Sequence, residues 1–150
     1  MHLDPDFEQL TYGDNGDDRG LEIKKLVEDD LLVFYAGLRS VHSAARLIYA
    51  LVGLYVVSGV VLARDVPLHR HDENAHTRKL KIGAPDIVVR AKPGVSGRFT
   101  RCVPIGEWRE RAYRVTHSIL EEWGRLSVKN GFIQRSIRPP SFRAPDRFYH

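Results

Sequence analysis

A single cysteine, Cys102, stands in a chain of 150 residues. No disulfide can form within the chain, and a reducing, cytoplasmic compartment is the expectation. No basic stretch leads into an apolar core at the start, so no signal peptide is expected. Nor is there an apolar run of the ~20 residues that a spanning helix needs. The longest low-charge run, residues 47–63, is shorter than that, is interrupted by Gly53, Ser58 and Gly59, and is rich in β-branched side chains. It reads as buried strand, with no membrane partner. No internal repeat is visible. Gly94-Val95-Ser96-Gly97 lacks the strand–elbow–helix setting of a hydrolase nucleophile and is no dinucleotide fingerprint.

Charge is present but unevenly spread. Residues 1–30 hold ten acids against three bases, a balance of −7. The whole chain is +4, so the remainder carries +11. A basic body behind an acidic lead segment fits an anionic partner, nucleic acid first. A solvated surface on which the acidic arm folds back is the alternative.

The length suits one domain over 1–150, with an acidic turn-rich lead at 1–20 and a basic extended tail at 137–150. Leu31 to Ala36 and residues 47–64 read as strands, each apolar and bounded by turn residues, with Gly53 or Gly59 marking a bulge or corner. Asp86 to Ala91 is a third strand. Leu21, Ile23, Leu26 and Val27 fit one face of a short helix, or an irregular approach to the first strand. Residues 67–83 read as a loop or short helix. Trp108, Ala112, Val115, Ile119, Leu120 and Trp123 form one apolar stripe at helical spacing, which predicts a long amphipathic helix over 107–123. Phe132 to Ser136 reads as a last strand. The class is α+β, a small barrel of about five to six strands flanked by helices.

Several groupings could carry chemistry. His69, His71 and His76 invite a metal, but a structural zinc site wants four ligands at recognisable spacing and the one cysteine lies elsewhere; no metal and no cofactor are expected. Pro5-Asp6 with Glu22-Ile23-Lys24 superficially matches a metal-dependent nuclease signature, whose carboxylates should sit on adjacent apolar strands; this stretch lacks that character. Aromatic side chains near arginines or amides suit base stacking and edge reading. Tyr35 and Trp108 sit at predicted element ends, whereas Tyr49, Tyr55 and Trp123 read as core.

The segment Asp30-Leu-Leu-Val-Phe-Tyr-Ala-Gly, followed by Leu54-Tyr-Val-Val-Ser-Gly-Val-Val-Leu-Ala-Arg, resembles the PUA-like superfamily that includes the EVE, YTH and ASCH domains. Asp29 here stands where those sequences usually have glycine. More narrowly, the chain resembles the nucleotide modification associated domain 3 family. The residues that carry this are His2-Leu-Asp4-Pro5-Asp6, Leu10-Thr-Tyr12-Gly13-Asp14, Arg19-Gly20, Phe34 to Arg39, Asn74-Ala-His76, Asp86-Ile-Val-Val, Ser96 and Phe132 to Ser136. The resemblance implies a PUA-like β-barrel flanked by helices, and a role in systems that make, read or restrict modified bases.

Together these readings point to a non-catalytic module that binds DNA or RNA and holds a modified or flipped-out base. The base pocket would draw on Tyr35, Gly37, Arg39, Asn74, His76, Arg78, Trp108 and Gln134. Ser96, Arg98, Arg101, Arg135 and Arg138 would contact phosphates. Two alternatives stay open. One is an enzyme acting on nucleotides or nucleic acid through Asp4, Asp6, His76 and Asp86. The other is a protein-interaction module built on the acidic arm and basic body.

Overall fold

The computed structural model describes residues 4–17, 19–39, 46–109 and 111–122. In chain order these form β1 (Thr11–Asp14), α1 (Arg19–Ile23), β2 (Leu31–Leu38), β3 (Ile48–Leu62), two 3-10 helices (Ala63–Asp65 and Leu68–Glu73), β4 (Ile87–Ala91), β5 (Gly97–Arg109), β6 (Ala112–Val115) and α2 (His117–Glu122). The six strands follow the order β1-β4-β3-β5-β6, with β2 also paired to β3. Among the described residues the sheet is open, and closure into the expected small barrel is not shown.

The described residues divide into two compact units, one drawn from those between 4 and 32 and between 54 and 98, the other from those between 33 and 53 and between 99 and 122. In the first, the β-branched run Ile87-Val-Val of β4 is buried throughout, as suits a central strand. It pairs antiparallel with β1 on one side, Thr11 opposite Arg90 and Asp14 opposite Ile87, and with β3 on the other, Val60 opposite Val89 and Leu62 opposite Ile87. The β3–β4 register shifts between Val57 and Gly59, so the glycine that was expected to mark a bulge does so, and the extra residue, Ser58, donates its hydroxyl to the Arg90 carbonyl. Ile23, Leu26, Val57, Ile87 and Val89 form the core, with Tyr12, Leu32, Val60 and Leu62 packed against it. Full burial of each aliphatic side chain contributes roughly 1.5–3 kcal/mol. Of the short-helix face, Ile23 and Leu26 point inward, while Leu21 and Val27 are exposed.

The second unit packs Tyr49, Ile105, Tyr113 and Val115, with Tyr35, Leu47, Leu51 and Ile119 around them. Its strands β5 and β6 form an antiparallel pair in which Trp108 faces Tyr113 and Gly106 faces Val115.

Here the expected helix over 107–123 is overturned. Among the described residues of that span, those up to Arg109 are strand, Ala112–Val115 are strand, and only His117–Glu122 are helical. The apolar positions 108, 112 and 115 fit a helical stripe, but Tyr113 and Val115 are buried in alternation with half-buried neighbours, which is the period of a strand. Arg111, at φ 62°, lies in the connection that reverses the chain. The lead segment also differs from a plain loop, because β1 builds it into the sheet. The expected strand at 132–136 and the tail at 137–150 lie outside the described residues.

Candidate functional site

In the first unit, β1 and the turn after the second 3-10 helix meet in a buried polar layer. Asn74, with no exposed surface, is its centre. Its Nδ2 donates to Thr11 Oγ1 at 3.1 Å and approaches Asp4 Oδ1 at 3.5 Å, and its Oδ1 accepts the His76 backbone N–H at 2.8 Å. Thr11 Oγ1 in turn donates to the Glu73 carbonyl at 2.7 Å, and Asp4 Oδ1 accepts the Gly13 N–H at 2.9 Å. Thr77 Oγ1 lies 2.8 Å from both the His71 and the Asn74 carbonyls. A buried polar group needs such partners, since leaving one unmet costs ~1–3 kcal/mol.

His76 lies between two carboxylates. Nε2 is 3.5 Å from Asp4 Oδ2 and Nδ1 is 3.7 Å from Asp86 Oδ2. Lys79 Nζ is 3.0 Å from Nδ1 and 2.8 Å from Asp86 Oδ2. An ammonium only donates, so Nδ1 is the acceptor in the Lys79 contact, and Nε2 is the ring nitrogen that faces Asp4. Burial pushes the Asp86 carboxyl up, but the Lys79 and Gly83 hydrogen bonds and the neighbouring positive charge outweigh it and hold the group below its ordinary value. The Tyr55 phenol is pushed well above its usual range, by burial first and then by Asp6 and Asp4. Its hydroxyl donates to the Asp6 carbonyl at 2.7 Å. Beside this layer, Arg90 Nε and Nη2 both donate to Glu73 Oε1, at 3.2 and 2.7 Å. Arg70 Nη2 stands 2.8 Å from Glu73 Oε2, within ion-pair reach but off-angle for a hydrogen bond. Among the described residues no group of three or more His, Cys, Asp or Glu could hold a metal ion.

The second unit carries a row of aromatic rings in edge-to-face contact. Tyr35 meets Tyr49 at 6.0 Å between centroids, Tyr49 meets Tyr113 at 4.9 Å, and Tyr113 meets Trp108 at 5.0 Å. The row ends at the surface: Trp108 is 39% exposed, and the Arg46 guanidinium lies over its ring, 5.8 Å from the centroid.

The residues singled out from sequence therefore divide. Asn74, His76, Asp4 and Asp86 are brought together in the first unit. Asp6 is not part of that cluster chemically; its Oδ1 accepts the Glu8 and Gln9 N–H groups and caps a turn. Glu22, of the nuclease-like pattern, is exposed and bonded to Lys25. The exposed Arg78 donates to the Asp72 carbonyl. The Ser96 hydroxyl accepts the Val56 N–H at 2.9 Å, a structural use. Arg98 is exposed on β5. Tyr35, Gly37, Arg39, Arg101 and Trp108 belong to the second unit; Tyr35 is half-buried, the others exposed. Gln134, Arg135 and Arg138 lie outside the described residues. Sequence reasoning missed Thr11, Gly13 and Lys79 in the first unit and Arg46 in the second. Lys79 carried a signal as a cation three residues after His76, and Thr11 and Gly13 lay in a stretch that carries the family resemblance.

No curated protein and no solved structure matches the chain. The model of one family does match, described as nucleotide modification associated domain 3, and it runs over residues 1–136. With all but the last fourteen residues inside that match, the chain belongs to the nucleotide modification associated domain 3 family.

Proposed function

We propose that this domain is a nucleic-acid-binding module of PUA-like character that recognises a modified or extruded base on behalf of a nucleotide-modification system. The observation that carries the reading is the surface of the second unit. Arg39, Arg46 and Arg101 are all exposed there, in the same unit as the exposed Trp108. Residues 100–104 of β5 are exposed without interruption around Arg101. In the first unit Lys79, Arg90 and Lys92 are each matched by a carboxylate within 2.8 Å, while Arg78, Lys81 and Arg98 are exposed. Exposed guanidinium groups attract phosphates, and an aromatic face takes a base. The family's association with nucleotide modification is consistent with such a ligand. Competition between oligonucleotides of one sequence, with canonical or modified bases, tests base recognition. Preference for the modified strand is expected; equal competition by both would remove the base-reading part of the proposal.

An enzyme working through Asp4, His76 and Asp86 has one observation in its favour, the 3.5 and 3.7 Å approaches to His76. Against it, both ring nitrogens already face partners and the imidazole is buried. The cluster works better as a clamp that fastens β1 and the residues before it to the Asn74–Thr77 turn. Nucleotide turnover abolished in His76→Gln would reverse that preference. The self-assembling acidic arm has less support, because β1 is occupied in the sheet.

A further inference from the structure

We infer that Trp108 and Arg46 form a stacking site for a single unpaired nucleobase. The inference rests on the nucleic-acid reading above and deepens it, placing base contact in the second unit and adding Arg46, a residue outside the pocket expected from sequence.

Three features support it. First, Trp108 is held but not covered. Its cross-strand partner Tyr113 is buried and meets the indole in a T-shaped contact at 5.0 Å and 72°. Tyr113 is itself backed by Tyr49 at 4.9 Å and Tyr49 by Tyr35 at 6.0 Å. A ring fixed from behind loses little freedom when a ligand stacks on it, so the contact keeps most of its free energy. Second, leaving a large aromatic 39% exposed forgoes burial that its neighbours obtain, and an exposed aromatic of this kind is what a stacking ligand completes. Third, the cation over the ring is a guanidinium. Its planar face stacks on bases as well as on indole, and its charge suits the attached phosphate.

The Arg46 carbon lies 5.8 Å from the indole centroid. A base seated between guanidinium and indole takes two stacking intervals of roughly 3.4 Å each, more than that distance. The exposed Arg46 side chain must therefore swing outward to admit it. The base must be unpaired, because a paired and stacked base has no free face to offer. Single strands and extruded bases qualify; intact duplex does not.

The test measures binding of oligothymidylate and of an abasic oligomer of equal length by fluorescence anisotropy at fixed salt. Quenching of indole emission is followed in a Trp123→Phe background. Oligothymidylate is expected to quench Trp108 and to bind about 5- to 150-fold more tightly than the abasic strand. Trp108→Ala, verified as folded by circular dichroism, should erase that difference while keeping the salt dependence. Arg46→Gln should shrink it and serves as the deciding variant if Trp108→Ala does not fold. Should Arg46→Gln and a folded Trp108→Ala both discriminate as the parent does, the stacking site is wrong although the domain still binds nucleic acid. Should the parent bind neither strand, both this inference and the nucleic-acid reading fail. Trp108-dependent association with a protein surface in place of oligonucleotide would overturn it in the same way.

Discussion

A Cβ placed on Gly13 would lie 2.3 Å from Cδ2 of His76, closer than any real contact allows. It would also stand 2.4 Å from Oδ1 of Asn74. The glycine in β1 is therefore what lets the buried imidazole lie against the strand. Gly13→Ala must push His76 away from Asp4 and Asn74, so a loss of about 1–3 kcal/mol is expected, as for other overpacked cores. Urea unfolding of the variant gives the number. A midpoint equal to that of the parent would show that the imidazole is not locked as described.

Asp86 makes the same layer sensitive to acid. Its carboxyl is buried, which raises its pKa, yet Lys79 at 2.8 Å and the Gly83 N–H at 3.2 Å bring it below the ordinary 3.8. A folded-state pKa lower than the unfolded one stabilises the fold above about pH 4, and that stabilisation disappears as pH falls through the folded value. Lys79→Met removes the strongest lowering contact and leaves burial to dominate. Acid unfolding followed by circular dichroism should then begin at higher pH than in the parent. An unmoved acid transition would mean that Lys79 does not hold Asp86 ionised.

Asp29 sits at φ 73°, in the left-handed region that favours glycine. It is kept there by the turn: its N–H donates to the Val57 carbonyl at 2.9 Å while the Val57 N–H donates to the Asp30 carbonyl at 2.8 Å. Asp29→Gly should raise stability by up to about 1 kcal/mol, since glycine adopts this φ without strain. The Lys92 ammonium, 2.8 Å from both Asp29 and Glu28, would keep the second of these exposed partners. A lowered melting temperature would indicate that the Asp29 side chain matters more than its backbone.

Strands β2, β3 and β4 were legible because long β-branched and aromatic runs bounded by turn residues admit few other structures, and Gly59 marked its bulge. Residues 107–116 were not, since apolar positions at 108, 112 and 115 satisfy a helical stripe and a strand pair equally; the burial of Tyr113 against Trp108 decides it. β1 was too short to announce itself in a segment full of turn residues. At the site, Asn74, His76, Asp4 and Asp86 stood out as chemistry-bearing types. Their partners did not, because the contacts join distant stretches of chain: Thr11 and Glu73 are 62 residues apart, Asp4 and Asn74 are 70. Arg46 gave no sign either, as an arginine becomes a stacking partner only once a fold sets it over an indole.

The most direct measurement is the affinity of the domain for a single-stranded oligonucleotide across a series of salt concentrations. Log affinity is expected to fall linearly with log salt, by about 0.7 for each phosphate neutralised, and Arg101→Gln should flatten the line by about one such step. Absence of binding at low salt, or an affinity indifferent to salt, would contradict the claim that the exposed arginines of the second unit meet a nucleic-acid backbone.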